Sequence, residues 1–515
     1  MSENGNRPNN NRPGTNSPGS NSPGNSGADR PRPAGAGRGP RRSSERGSER
    51  QPEREPALTR VQPARRVALE VIMAVRESDA YANLLLPVKL ERARLGAQDA
   101  ALATELTYGT LRQQGYYDAV IALAANRSTD EIDSPILDVL RLGAHQLLSM
   151  RVAQHAAVDE AVSLAREVGS RSATGFVNGV LRTITRSSPD EWHDRVLAEP
   201  RNDDERLSLE HSHPLWIVRA FRQALAAEDR GDELEDLLIA NNFAPRVSLV
   251  ALPGLATISE IRGTQKAKYS PLAAISDGGD PALWPAVHEG RARVQDEGSQ
   301  LAALALSRAR PIAPGERWLD LCAGPGGKAA LLAAEALAGG ATLVANEITR
   351  ARAELVRKTL AVFTYPPQVL EQDGTLMGAR MPAQFDRILL DAPCTGLGAL
   401  RRRPEARWRK QPSDVAQLAE LQIALFESAL AALKPGGILA YVTCSPHLAE
   451  TKVVVETVLR RAGDTISRLD TAAVLAGVTK NELDLGRHDD GHVQLWPHRS
   501  GTDAMYICLV QKAEA

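Results

Sequence analysis

From about residue 296 onward, the sequence alternates short apolar runs with longer helical segments, and this alternation constrains the fold more than any other feature. The apolar runs predict five strands, at Arg317–Leu321, Thr342–Asn346, Gln368–Glu371, Arg387–Leu390 and Ile438–Thr443. Strands that alternate with helices in one chain favour a parallel, doubly wound α/β sheet of the Rossmann type. Because ligands bind such sheets at the carboxyl ends of the strands, functional residues are expected directly after each strand.

The rest of the chain predicts three further regions, since 515 residues exceed what one hydrophobic core usually serves. Residues 1–58 are rich in Pro, Gly, Asn, Ser and Arg, and we expect them to form a disordered tail. Residues 59–187 carry apolar residues at helical spacing and predict an all-α bundle of five to seven helices. Residues 188–295 predict a small α+β connector, and residues 296–515 the α/β domain.

A glycine-rich loop follows the first predicted strand, where residues 320–328 read Asp-Leu-Cys-Ala-Gly-Pro-Gly-Gly-Lys. Glycines let the backbone approach a ligand closely, and the following helix offers free N–H groups at its start. A phosphate-binding P-loop is excluded because Cys322 and Ala329 stand where it needs Gly and Ser or Thr. A nicotinamide dinucleotide and S-adenosylmethionine both stay open as ligands. Glu347 is placed to bind the ribose of either cofactor, and Asp373 is placed to meet the adenine.

An acid and two thiols follow the last two predicted strands, with Asp391 and Cys394 after the fourth and Cys444 after the fifth. Neighbouring parallel strands would bring all three into one cleft. This set suits methylation of cytosine at C5, a carbon too weakly nucleophilic to take a methyl group directly. A thiolate that adds at C6 activates C5, provided that an acid holds or protonates N3, and a base must later remove the C5 proton. The chemistry alone leaves open which thiol attacks.

A run of positive charge between residues 401 and 410 lies beside the predicted cleft. The whole chain has 62 Lys and Arg against 63 Asp and Glu, so any surface that binds nucleic acid must be local. Arg and Lys supply phosphate contacts, and planar side chains stack on bases. RNA contacts are therefore predicted for Arg401, Arg402, Arg403, Arg407 and Lys410.

The four cysteines include no close pair, which argues against a disulfide scaffold and a cysteine-type zinc site. The histidines are scattered, and we assign no metal. The sequence has no apolar run of transmembrane length and no signal peptide near Met1. We therefore expect no membrane partner, a cytoplasmic location and a monomeric protein.

Several of these motifs together resemble the signature motifs of the RsmB/Nop2/Sun family of RNA 5-methylcytosine methyltransferases. The resemblance rests on residues 320–328, on residues 391–398 and on Thr443-Cys444-Ser445. Residues 294–300 resemble the family segment that precedes the cofactor loop, and residues 498–503 resemble its C-terminal motif.

The helical region resembles a NusB-type RNA-binding domain, mainly through residues 107–112 and 177–182. A NusB-like domain joined to the methyltransferase motifs, over roughly residues 60–512, resembles the bacterial RsmB branch of the family. Two departures stand out, because only Glu450 matches the usual pattern after Cys444-Ser445, and Ala504 replaces the commoner Gly after Asp503.

The resemblance implies an S-adenosylmethionine-dependent enzyme that methylates cytosine C5, with 16S ribosomal RNA as the usual target of this architecture. It implies that Cys444 is the nucleophile, that Cys394 assists product release and that Asp391 touches both cofactor and base. The implied cofactor contacts are Cys322, Ala323, Gly324, Pro325, Gly326, Gly327, Lys328, Glu347, Asp373 and Asp391.

Three alternatives compete with this prediction. The first is a non-catalytic RNA-binding or antitermination factor dominated by the NusB-like region, and the second is a cytosine methyltransferase that acts on transfer RNA. The third is a nicotinamide-dependent oxidoreductase, which would leave the two strand-end cysteines and the arginine run without a role.

Overall fold

A computed structural model describes residues 61–78, 80–485 and 491–514. The predicted tail, residues 1–58, lies outside the described residues. Residues 59–515 form one compact unit, in which a helical bundle, a connector and a sheet domain follow one another along the chain.

The N-terminal region is an all-α bundle, as the helical spacing of its apolar residues predicts. Its apolar stripes meet in one core, which extends past residue 187 to the fully buried Trp192. Burial of these stripes stabilises helices that would be marginal alone. The helices are α1 (Pro63–Glu77), α2 (Ala82–Ala93), α3 (Ala97–Arg112), α4 (Gln114–Ala125), α5 (Ser134–Leu148), α6 (Gln154–Val168), α7 (Arg171–Ile184) and α8 (Pro189–Val196).

The connector combines four helices with a small antiparallel sheet whose strand order is β2-β3-β1-β4. Its helices share a core with the sheet domain, where Phe221 and Leu238 pack with Leu400 and Trp496. The elements are α9 (Asp203–Glu210), α10 (Leu215–Ala226), α11 (Leu234–Asn242), β1 (Ser248–Ala251), β2 (Thr264–Lys266), β3 (Ala273–Ser276), α12 (Pro285–His288) and β4 (Ala292–Val294).

The C-terminal region is a sheet covered by helices, and all five predicted strands are present. Its first half contains α13 (Glu297–Ser307), β5 (Arg317–Asp320), α14 (Gly327–Ala338), β6 (Thr342–Asn346), α15 (Arg350–Leu360), β7 (Gln368–Leu370), α16 (Met377–Arg380) and β8 (Phe385–Asp391). Its second half contains α17 (Ala406–Arg409), α18 (Pro412–Ala432), β9 (Leu433–Thr443), α19 (Lys452–Ala462), β10 (Ile466–Arg468), α20 (Thr471–Val478), β11 (His492–Gln494), α21 (Pro497–Ser500) and β12 (Tyr506–Lys512).

The large sheet has the strand order β10-β12-β9-β8-β5-β6-β7, and β11 pairs with β12. Strands β5 to β9 are parallel, which confirms the Rossmann-like fold. The sheet also has an antiparallel edge outside the five predicted strands, where β12 is antiparallel to β9 and β10 is antiparallel to β12. The order of strand addition reverses at β5, since β6 and β7 lie on one side of it and β8 and β9 on the other. This switch point is where α/β sheets bind ligands.

One described helix, α18, is long and apolar enough by length and composition to cross a membrane. It packs on the large sheet, where Phe426 stacks on Tyr441 of β9 with ring centroids 5.1 Å apart. Both rings are fully buried, and we interpret α18 as a core helix of the sheet domain.

Candidate active site

The cofactor loop joins the carboxyl end of β5 to the start of α14, and close contacts with β6 and α15 fix its shape. Gly324 donates its N–H to Glu347 Oε2 at 3.1 Å, and a Cβ at position 324 would lie 2.2 Å from that oxygen. Gly326 has a φ of 107°, where residues with side chains are strained, and a Cβ there would press on Thr359. These two positions therefore require glycine, and the loop presents its backbone to the carboxyl end of the sheet.

The acids expected beside the cofactor lie at the ends of successive strands. Glu347 is buried, and its second oxygen accepts the N–H of Thr349 at 3.0 Å. Asp373 is half-buried, and its Oδ1 accepts the N–H and the hydroxyl of Thr375. Backbone N–H groups therefore orient both carboxylates, and Glu347 also binds the glycine loop directly.

Asp320 is a candidate cofactor residue that the sequence analysis did not single out. It is the last residue of β5, and both of its buried carboxylate oxygens are without a hydrogen-bond partner among the described residues. Burial, and next the charge of Asp391, raises the pKa of Asp320 to about 8. A cationic ligand group beside the loop would relieve this cost, and the ammonium and sulfonium groups of S-adenosylmethionine fit that description. The only signal in the sequence is an acid directly before a glycine loop.

An ion pair links the cofactor loop to the end of β8. Lys328 Nζ lies 2.8 Å from Asp391 Oδ2. Burial acts to lower the pKa of Lys328, but the charge and hydrogen bond of Asp391 outweigh it, so the net pKa is raised. The pair therefore places a proton between the cofactor loop and the thiols. Cys322 lies in the same loop, and burial raises the pKa of its thiol, which keeps it neutral.

The two strand-end thiols meet. Cys394 Sγ and Cys444 Sγ are 3.5 Å apart, a hydrogen-bond distance for sulfur and far longer than a disulfide bond of about 2.05 Å. The hydrogen bond from Cys394 lowers the pKa of Cys444, with Lys328 and Arg403 acting in the same direction. The same hydrogen bond, together with burial, holds the pKa of Cys394 well above its usual range. This arrangement favours a thiolate at Cys444 and a neutral thiol at Cys394.

The turn after Cys394 is tied to the turn after Cys444. Gly398 donates its N–H to the carbonyl of Cys444 at 2.8 Å and accepts the N–H of Ala504 at 2.9 Å. A Cβ at position 398 would lie 2.0 Å from the carbonyl oxygen of Ala504, so no other residue fits this approach without moving the backbone. Glycine at this position thus maintains the contact between the two cysteine segments.

Arg401 and Arg402, for which RNA contacts are predicted, bind groups of the protein itself. Arg401 is buried and donates to the carbonyl of Gly501 at 2.8 Å. Arg402 forms ion pairs with Asp503 and Asp296. Both guanidinium groups are therefore occupied by carboxylates and carbonyls of the protein itself, and they hold the C-terminal motif against the start of α13.

Arg407 is also not available to RNA, because its side chain is fully buried. It donates to the carbonyls of Arg112, Ser212 and Asn241 at 2.8–3.1 Å and to Asn242 Oδ1 at 2.8 Å. Arg112 ends α3 of the bundle, whereas the other acceptors belong to the connector, before α10 and at the end of α11. Burial lowers the pKa of Arg407 to about 9, which leaves it charged at neutral pH. Arg407 therefore joins the bundle and the connector to the sheet domain.

Two of the five predicted cations keep accessible positions. Arg403 is half-buried, and its guanidinium lies 5.1 Å from the ring centre of Tyr81, a residue from the bundle that is 44% exposed. Lys410 is half-buried, and no ion pair of its amine is present among the described residues. The neighbouring Trp408, a candidate for base stacking, packs on Gly115 of α4 instead.

Among the described residues, one group of side chains could hold a metal ion, formed by Glu210, His211 and Glu235. His211 already contacts Glu235 at 3.3 Å, and Arg206 forms ion pairs with both glutamates. These contacts satisfy the three side chains without a metal ion, and we assign no metal to the group.

Comparison with known proteins follows the same division of the chain. The model of the 16S rRNA methyltransferase RsmB/F family matches residues 310–511, and the NusB family model matches residues 62–186. A putative methyltransferase of Mycobacterium tuberculosis (strain CDC 1551 / Oshkosh) is 47% identical over 457 residues, which cover 88% of this chain and 97% of that protein. Ribosomal RNA small subunit methyltransferase B of Pseudomonas putida is 30% identical over 406 residues, covering 77% and 89% of the two chains.

The fold also agrees with a solved structure. The crystal structure of PH0851 superposes with a TM-score of 0.74 at 22% identity, over 88% of this chain and 99% of that one. The fold and the loop at β5 define a class of protein, an S-adenosylmethionine-dependent methyltransferase with an N-terminal NusB-type domain. Within that class, the chain belongs to the RsmB/F family of 16S rRNA methyltransferases.

Replacing Arg407 with Met should lower the free energy of unfolding by about 3–5 kcal/mol, because four buried acceptors lose their donor. Urea denaturation followed by circular dichroism measures this loss. Lys410→Met is the control, since it removes a half-buried cation from the same segment and should change stability little. Normal stability of Arg407→Met together with weakened RNA binding would return Arg407 to the RNA interface.

Proposed function

We propose that this protein transfers a methyl group from S-adenosylmethionine to C5 of a cytosine in 16S ribosomal RNA, through a covalent bond between Cys444 and C6 of that cytosine. The observation that carries the proposal is the pair of thiols 3.5 Å apart, next to the Lys328–Asp391 ion pair at the carboxyl ends of β8 and β9. The glycine loop that would hold the cofactor borders the same group, because Lys328 belongs to it.

Cys444 is the better candidate for the attacking thiol. The thiolate is the nucleophilic form of cysteine, and both nearby cations favour a thiolate at Cys444. As Cys444 Sγ bonds to C6, N3 of the cytosine gains a proton, which the Asp391–Lys328 pair is placed to supply. C5 then takes the methyl group that the cofactor provides.

Cys394 is the candidate base for the final step. Once Cys444 is bonded to carbon, it no longer carries charge, and the main interaction that keeps Cys394 protonated is gone. Cys394 can then pass its own proton to the Asp391–Lys328 pair, which gave one up to N3. The resulting thiolate takes the proton from C5, and the electron pair of that C–H bond restores the double bond as Cys444 leaves. The two cysteines thus exchange charge in the course of one turnover.

The cofactor would be held by the loop Cys322–Lys328 with Glu347, Asp373 and Asp391, and by Asp320 in addition. The backbone of this loop and the first N–H groups of α14 can receive the methionine carboxylate, since helix starts favour anions. In this proposal Glu347 binds the ribose and Asp373 meets the adenine.

For RNA we propose contacts by Arg403 and Lys410, two half-buried cations of the 401–410 segment for which no ion pair is present among the described residues. The backbone N–H of Arg403 donates to the carbonyl of Ala399 at 3.0 Å, and the preceding residue, Gly398, donates its N–H to the carbonyl of Cys444. Arg403 therefore lies within about one helical turn of the thiols and beside Tyr81 of the NusB-type domain. RNA bound at this junction would touch both domains.

Incubation of 16S ribosomal RNA with the protein and labelled S-adenosylmethionine should transfer label to the RNA, and bisulfite sequencing should place it at a cytosine. Cys444→Ala should abolish transfer. Cys394→Ala should accumulate RNA that stays bonded to Cys444, because the C5 proton is not removed, and this species should run as a slow band under denaturing conditions.

The double variant Cys394→Ala/Cys444→Ala should give no slow band, and Cys508→Ala, which removes a buried thiol of β12 opposite Tyr441, should behave as the wild type. A slow band with Cys444→Ala but not with Cys394→Ala would reverse the two roles. Full activity of both single variants would exclude a covalent mechanism.

Asp391→Asn should lower kcat by about 10²- to 10⁴-fold, because the amide cannot take part in protonation of N3. Steady-state kinetics with saturating RNA measure this. Asp386→Asn is a matched control at the other end of β8, where the carboxylate binds Lys434 and the N–H of Arg317. A normal kcat for Asp391→Asn would mean that the proton comes from another group.

Arg403→Gln should weaken RNA binding and make the slope of log K against log salt shallower by about 0.7, the value for one phosphate contact in a single strand. Fluorescence anisotropy with labelled RNA at several salt concentrations measures this slope. Lys434→Gln, at the opposite end of β9 from Cys444, should leave it unchanged. An unchanged slope for Arg403→Gln would exclude a phosphate contact there.

A further inference from the structure

We propose that Glu450 is a positioning residue that joins the Cys394 and Cys444 turns and makes the two thiols chemically unequal. Its side chain is fully buried, so it reaches neither RNA nor cofactor and can act only through its neighbours. The catalytic consequence of this inference rests on the proposed function, while the geometric part does not.

The Glu450 carboxylate binds both cysteine turns directly. It accepts the N–H of Thr395 at 2.7 Å and the hydroxyl of the same residue, and Thr395 follows Cys394 in the chain. It also accepts the hydroxyl of Ser445 at 2.6 Å, and Ser445 follows Cys444. This one carboxylate therefore fixes the separation of Cys394 and Cys444, because each cysteine directly precedes a residue that donates to it.

A second buried side chain completes this clamp. Gln422 of α18 donates to the carbonyl of Pro393 at 2.8 Å and to Glu450 Oε1 at 3.3 Å. Tyr441 in turn donates its hydroxyl to the backbone carbonyl of Glu450 at 2.7 Å. All the donors to the carboxylate are neutral, and among the described residues no cation pairs with it. Glu450 is thus a buried negative charge held by an amide, two hydroxyls and a carboxamide.

The charge of Glu450 is among the strongest influences on Cys394. The groups that act most strongly on Cys394, apart from Cys444 and burial, are the carboxylates of Glu450 and Asp391, and both raise its pKa. The charged groups that act most strongly on Cys444 are Asp391, Lys328 and Arg403, and the two cations lower its pKa. Glu450 therefore opposes charge on Cys394, while the cations favour it on Cys444.

This inequality suits the order of events in the proposed reaction. Before RNA is attacked, a thiolate at Cys444 with a neutral Cys394 is the productive state. An enzyme with the negative charge on Cys394 and a neutral Cys444 could not attack the cytosine, because Cys394 is assigned to the last step. Glu450 would thus raise the fraction of enzyme that is ready to attack.

Alkylation of the full-length protein by iodoacetamide tests the inference without RNA or cofactor, since the thiolate is the reacting form. Peptide mass spectrometry of samples quenched at early times gives the two rates. In the wild type Cys444 should react at least about tenfold faster than Cys394, which corresponds to one pKa unit. In Glu450→Gln, which keeps the shape and removes the charge, the ratio should fall toward one.

Two further variants make the outcome unambiguous. Glu335→Gln neutralises another buried carboxylate, which lies in α14 and pairs with Arg308, and this variant should keep the wild-type ratio of alkylation rates. Glu450→Asp keeps the charge, but its shorter side chain moves the carboxylate away from Thr395. The ratio of alkylation rates in this variant should lie between those of the wild type and Glu450→Gln. If Glu450→Gln does not fold, Glu450→Asp decides. An unchanged ratio in whichever folded variant of Glu450 is used, or an equal loss in Glu335→Gln, overturns the inference.

Turnover supplies a second readout. With 16S ribosomal RNA, Glu450→Gln should lower kcat while KM for RNA stays near the wild-type value, because Glu450 does not touch RNA. An equal loss of RNA affinity would contradict a positioning role. If the wild type shows the expected alkylation ratio but never forms a bond to RNA, the proposed function fails and the inference about Glu450 stands.

Discussion

The parallel hydrogen bonding between β8 and β9 is the constraint on which the site depends. Asp391 lies opposite Val442 in the register, and the N–H of Ala392 binds the carbonyl of Val442 at 2.8 Å. This register ends both strands at the same level, so the segments that follow them carry Cys394 and Cys444 to the same place. A shift by one residue would turn each side chain to the opposite face of the sheet and separate the acid from the thiols.

The parts of the fold and site that the sequence could predict are those that depend on local order along the chain. Strands β5, β6, β8 and β9 are largely buried apolar runs separated by helices, and an acid or a cysteine lies at or just after each end. Because parallel strands end at one edge, residues as distant as Asp391 and Cys444 could be expected together without knowledge of any contact. The edge strand β10 escaped prediction because three residues, Ile466–Arg468, give no periodic signal.

The partners of the charged residues could not be predicted, because they come from distant parts of the chain. Arg402 and Arg407 look alike in sequence, yet one binds two carboxylates and the other binds carbonyl groups near residues 112, 212 and 241. A cation beside a catalytic loop is equally compatible with phosphate contact and with a buried interface. Likewise, the match of Glu450 to the family pattern does not show that it is buried, because its four donors come from three separate segments.

The buried position of Arg407 has a consequence for how the chain is made. Its guanidinium binds the carbonyl of Arg112, and the two residues are 295 positions apart. At 5–20 residues per second, a ribosome needs roughly 15–60 s to add the intervening residues. During that interval the newly made bundle lacks the donor that closes the end of α3, and its surface for the sheet domain is uncovered. The contact between the bundle and the sheet domain therefore forms late in synthesis, after the ribosome has added Arg407.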